Sequence, residues 1–174
     1  MLHRLSRVLD FTENVLAYIG GILLAISTIT VVMEVISRYL FNYSFLWVNE
    51  ISEYILLYIP FLGGAWLLRS NGHITVDILE ELMSSRLRFL SDILIAIVGI
   101  LICIIIVWYG TLTTFDVLYR DVRSLTTLQI PQVYVMAIIP LGTFILMLEF
   151  IRKLYRTILM KKSINKIDTI TTSL

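Results

Sequence analysis

Four stretches of the chain carry no charge for long enough to cross a bilayer, or nearly so. Asn14–Met33 is uncharged for 20 residues, Ile93–Phe115 for 23 and Ser124–Leu148 for 25. Tyr54–Leu68 is uncharged for only 15, but reaches 18 when counted from Ile51 across Glu53. A membrane helix needs about 20 mostly apolar residues. The pattern therefore predicts an all-α integral membrane protein with four transmembrane helices at about 15–37, 50–68, 90–113 and 130–152. Between the second and third, Asp77 and Glu80 fit an Asp-x-x-Glu helix start. Ile78, Leu79, Leu82 and Met83 follow at helical spacing, with Glu80, Glu81, Ser84 and Ser85 opposite. That reads as a short amphipathic helix at about 78–85, lying in the membrane interface. Residues 1–155 form one four-helix domain, and 156–174 a basic tail with a loose end at "DTITTSL".

Composition agrees that lipid is the main solvent. Hydrophobic residues make up 58% of the 174, charged residues 16%, and mean hydropathy is +0.88. A soluble domain usually has about 25% charged residues. The formal net charge of +1 provides no basic field for nucleic acid. Cys103 is the single cysteine, so no disulfide or dithiol pair forms within the chain. The first run is read as an uncleaved helix. Its leader carries Asp10 and Glu13, and it is longer than a signal-peptide core of about 7–15 residues.

Lysine and arginine collect on the cytoplasmic side. Eleven of the 14 basic residues fall in the N-terminal leader, in the segment around 69–89 and in the C-terminal tail; Arg38, Arg120 and Arg123 fall on the other side. Both termini are therefore expected inside the cell.

Several features invite a functional reading. Glu34 and Arg38 lie four apart, and Glu50 and Glu53 three apart at the start of the second span. Each pair shares a helix face. Charges at the edge of a span are costly and are usually paired or functional. These four form one buried interhelical cluster with room for a partner's base, or they snorkel to the headgroups. A proton relay is the third option. Gly21, Ala25 and Thr28, and the pair Gly63–Gly64, form thin strips that either pack within the unit or receive another membrane protein. Pro60 and Pro140 fall inside spans and predict kinks. His73, Asp77 and Glu81 are spaced by four, but one histidine with scattered carboxylates is a weak metal site, and a turn with a helix cap is the better reading. A b-type haem needs axial ligands within the spans, and His3 and His73 both lie outside them.

The stretch from Ser37 to Leu79 resembles the signature of the small membrane subunit (Q-type, DctQ-like) of tripartite ATP-independent periplasmic (TRAP) transporters. The matching positions are Arg38, Trp47, Glu50, Gly63, Gly64, His73, Ile74, Val76 and Asp77, followed by Ile130–Pro131 and Ile139–Pro140–Leu141–Gly142. The family often has two adjacent acids after the tryptophan, where this chain has Asn49–Glu50. The resemblance implies a non-catalytic scaffold in a bacterial inner membrane. Its partners would be a large permease subunit, which carries organic acid and sodium by an elevator motion, and a periplasmic substrate-binding protein. It implies no enzyme activity, and no substrate, metal or cofactor in this chain; sodium ions belong to the large subunit. Glu34, Arg38, Trp47, Glu50, Glu53, Gly63 and Gly64 would serve the partner interface, and His73, Asp77 and Glu80 the cytoplasmic turn and helix cap. The competing class is a self-contained, proton-coupled exporter using Glu34.

Overall fold

The computed structural model describes residues 2–70, 85–124, 126 and 128–171. Four helices make up nearly all of it: α1 Leu2–Phe41, α2 Leu46–Arg69, α3 Ser85–Tyr119 and α4 Gln132–Thr171. All four are long and apolar enough to cross a membrane. The expected amphipathic helix at 78–85 falls outside the described residues, apart from Ser85, which opens α3. His73, Asp77, Glu80 and Glu81 also lie outside them.

The helices overrun the expected spans. At about 1.5 Å per residue, the 40 residues of α1 extend about 60 Å, twice the hydrocarbon core. The apolar window sets the part immersed in lipid; the helix stops only where a breaker intervenes. Residues 2–13 contain no glycine or proline, so α1 starts eleven turns' worth of backbone before its last residue rather than at residue 15. Similarly, α4 continues unbroken through 156–171, and Asp168–Thr171, expected to be irregular, are helical. Two ends can be distinguished. The loop end holds the connections 42–45 and 120–131; the basic end holds Asp10, Arg69, Arg152 and Lys153.

The packing is an open row. α1 packs on α2, α2 on α4, and α4 on α3, so α2 and α4 are central and α1 and α3 form the edges. Burial follows this order: 28% of the most apolar window of α2 is buried, against 11% in each edge helix. In lipid, helix association relies on close contact and polar links rather than on the hydrophobic effect. Close contact is visible at two glycines. A Cβ on Gly142 of α4 would lie 2.6 Å from Phe61 Cβ and 2.7 Å from its carbonyl oxygen, so the α2–α4 crossing requires glycine there. A Cβ on Gly99 of α3 would lie 2.6 Å from the Phe150 ring on α4.

Candidate functional site

The two polar ends are built differently. At the loop end, α1 stops at Phe41 and Asn42 adopts a left-handed conformation, with φ 51°, which asparagine tolerates better than most residues. This turn brings Ser44 back over α1, where its hydroxyl donates to Glu34 Oε1 at 2.9 Å. Arg38 Nη2 donates to Glu34 Oε2 at 3.0 Å. Glu34 is therefore buried but held on both oxygens, while Arg38 remains largely exposed.

Glu50 does not join that pair. It is buried on α2 and accepts from the Tyr54 hydroxyl at 2.9 Å, the Thr126 hydroxyl, and the Leu128 backbone N–H at 3.1 Å. The last two donors belong to the 120–131 connection, which folds as a small hairpin-like loop. Ser124 N–H donates to Ile130 O at 3.1 Å and Gln132 N–H to Val122 O at 3.0 Å, with left-handed turns at Asp121 and Gln129. Tyr54 also reaches Ser124 Oγ at 3.2 Å. The single four-residue cluster expected from the sequence is thus divided. Glu34 and Arg38 fix the α1–α2 turn, Glu50 pins the α3–α4 loop, and Glu53 is exposed. The reason is geometric: Glu50 points toward α4's side of α2, where hydroxyls and a free N–H meet it. Trp47 is partly exposed beside Phe45, with ring centroids 6.1 Å apart.

The basic end contains a network the sequence reading did not assemble. Arg152 of α4 is nearly buried; its Nη1 is 2.5 Å from Asp10 Oδ1, its Nη2 3.3 Å from Glu13 Oε2, and its Nε 2.6 Å from Glu149 Oε2. Arg69 of α2 lies 3.1 Å from Asp10 Oδ1 and 3.0 Å from Glu13 Oε2, and also donates to Asn14 Oδ1. Three carboxylates and two guanidiniums thereby join α1, α2 and α4. Glu13 is fully buried, and among the described residues no donor reaches its Oε1. A separate pair, Lys153–Asp92 at 3.5 Å, ties α4 to α3. The i, i+3 spacing of Asp10–Glu13 and of Glu149–Arg152 was the available signal. Among the described residues, no group of histidine, cysteine and carboxylates is placed to hold a metal ion.

The third feature is a groove of about 900 Å³ between α1 and α2. Gly21, Gly63 and Gly64 line it, with Tyr18 and Trp66 at its sides. A Cβ added at any of these three glycines would meet nothing within 4 Å. Gly20, Gly99, Gly110 and Gly142 meet the neighbouring helix; Gly63 and Gly64 are half-buried with no side chain within reach of a Cβ, and the Gly21–Ala25–Thr28 strip is exposed.

The family model for "Tripartite ATP-independent periplasmic transporters, DctQ component" matches residues 27–160. This chain belongs to that family. The DctQ match takes in the loop-end sites, all of α2, and Arg152, and begins after Asp10 and Glu13. The C4-dicarboxylate TRAP transporter small permease protein DctQ of Vibrio cholerae is 29% identical over 99 residues, 57% of this chain and 41% of that protein. The sialic acid TRAP transporter permease protein SiaT of Haemophilus influenzae is 22% identical over 135 residues, 78% of this chain and 21% of that protein. A putative TRAP transporter small permease protein of Haemophilus influenzae is 22% identical over 144 residues, 83% of this chain and 87% of that protein. The chain thus spans less than half the length of the first two relatives. As a DctQ component it is part of a transporter and not an enzyme, and it is a multi-pass inner-membrane protein.

Proposed function

We propose that this chain is the non-catalytic scaffold and anchoring subunit of a sodium-coupled transporter for organic acids of the C4-dicarboxylate or sialic acid type. It supports a large, elevator-type permease subunit and helps to dock a periplasmic substrate-binding protein, with both of its own termini inside the cell. The observation that carries this reading is where the charges sit. All the ion pairs described lie at the two ends of the row, and the runs between them hold no aspartate, glutamate, lysine, arginine or histidine at mid-depth to carry an ion or an acid. The substrate classes come from the names of the relatives. The test is uptake of labelled C4-dicarboxylate and sialic acid into proteoliposomes under a sodium gradient. Uptake should require this chain together with a large permease subunit and a binding protein. Sodium-driven uptake by this chain alone would overturn the proposal.

The exporter reading has one observation in its favour, the burial of Glu34 within α1. Both of its oxygens are occupied, by Arg38 and Ser44. Under the exporter reading Glu34→Gln abolishes proton-coupled efflux; under the scaffold reading the variant leaves the transport activity of the assembled complex in place.

A further inference from the structure

At the basic end two acids meet one edge of one guanidinium. The Nε–H and Nη2–H of an arginine lie side by side and match the two oxygens of a single carboxylate. On Arg152 that edge faces two carboxyl groups, with Glu149 Oε2 2.6 Å from Nε and Glu13 Oε2 3.3 Å from Nη2. The two carboxyls are thereby within hydrogen-bond reach of each other, and both are buried. We propose that Glu13 and Glu149 hold one proton between them, and that this proton-binding site joins edge helix α1 to α4 at the end of the row. The site goes beyond the scaffold reading and does not depend on it.

The oxygens left over support this. Among the described residues no donor reaches Glu13 Oε1, and Glu149 Oε2, although close to Arg152 Nε, is not aligned for a hydrogen bond with it. Each acid therefore keeps one buried oxygen without a hydrogen bond. Ionised carboxylates only accept, so two in contact repel each other and leave such oxygens unsatisfied. With one proton added, one acid donates to the other.

The charges around the pair agree. Arg69 on α2 lies 3.1 Å from Asp10 and 3.0 Å from Glu13, so two guanidiniums face three carboxyl groups. One proton makes this set neutral, which burial favours. Lys153 is taken by Asp92 of α3, and Arg7 on α1 and Arg156 on α4 are exposed to solvent.

The consequence is mechanical. α1 packs on α2 and α2 on α4, so the Asp10, Glu13, Glu149 and Arg152 side chains bridge two helices that are not neighbours in the row. Removing the proton puts two like charges in contact across that bridge and pushes α1 from α4. An unfolded glutamate releases its proton near about pH 4.3. The folded pair keeps one above that range, so this contribution to stability is complete at lower pH and is lost as rising pH ionises the pair.

Infrared spectroscopy of the full chain in lipid at neutral pH tests the site. The expected result is one protonated-carboxyl C=O band per chain, absent from Glu13→Gln and from Glu149→Gln alike. Either glutamine leaves two carboxylates for two arginines, and its amide N–H replaces the proton as donor. Thermal unfolding gives a second reading. The wild-type midpoint should fall relative to that of Glu13→Gln by about 3 °C or more between about pH 5 and about pH 8. A wild-type chain without the band, or a band that survives either substitution, overturns the proposal. So does a midpoint that follows pH identically in wild type and Glu13→Gln. If the glutamine variants do not fold, wild type decides: band and midpoint must fall together as pH rises, and any other course overturns the proposal.

Discussion

The loop end and the basic end both bury carboxylates, but they satisfy them in different ways. At the loop end each buried acid is met by groups of a turn or loop. Glu34 uses an arginine one turn away and a serine in the next turn; Glu50 uses two hydroxyls and a backbone N–H. At the basic end Glu149 pairs with Arg152 of its own helix, but Asp10 and Glu13 are met only from other helices. Asp10 and Glu13 depend on arginines 59 and 142 positions away for Asp10, and 139 away for Glu13 on α4. The comparison teaches that one end shapes connections while the other holds helices together. Removing a loop-end group should alter a loop. Removing a basic-end group should loosen the order of the row.

The largest effect is expected from Arg152→Ala. It strands Glu149 and leaves Glu13 with Arg69 alone, both acids being buried, and breaking a buried pair costs about 3–5 kcal/mol. Thermal unfolding in detergent measures this loss. A shift no larger than that of an exposed substitution would erase the distinction between the ends. Gly142→Ala comes next and tests whether close packing between the ends matters as much as the staple. Its Cβ would meet the backbone of Phe61, a contact that only a shift of α2 or α4 relieves. Overpacking of this kind costs about 1–3 kcal/mol. The same unfolding assay reads it, and wild-type stability would mean the crossing is loose. Arg38→Ala should cost less, about 1 kcal/mol, because Arg38 is exposed and Ser44 still holds Glu34. A loss as large as that of Arg152→Ala would place the pair among the structural staples. Glu50→Ala should have the most local effect. Amide exchange at Leu128 is expected to accelerate at least tenfold, while amides in the middle of α2 keep their protection. Exchange that rises along the whole of α2 would show that Glu50 supports the helix and not the loop.

Much of this could be read from the sequence. The four uncharged runs marked the four helices, and the distribution of lysine and arginine sorted the connections into two sides. The helix ends were less legible. Hydropathy reports where lipid begins, and α1 and α4 continue into water because nothing in residues 2–13 or 153–171 breaks them. Glu34–Arg38 was legible because both members sit on one helix. The partners of Glu50 were not, since Thr126 and Leu128 lie more than seventy residues away, in a loop with no apolar pattern. In the sequence Asp10 and Glu13 bear only on whether the first run is cleaved, and Arg69 and Arg152 only on topology.

The sequence by itself determined what each segment is: four helices that cross a bilayer, charged groups confined to their ends, and small residues at particular places along them. These properties follow from the solvent, because every residue in a span answers to the same lipid. Only the tertiary structure decided which segment meets which. It placed α2 and α4 in the middle of an open row, joined Arg152 to α1, pressed Gly142 and Gly99 against aromatic neighbours, and left open space beside Gly63 and Gly64. In lipid an apolar side chain gains little by touching another helix rather than an acyl chain. Neighbours are therefore chosen by shape and by a few charges, matched between positions far apart in the chain.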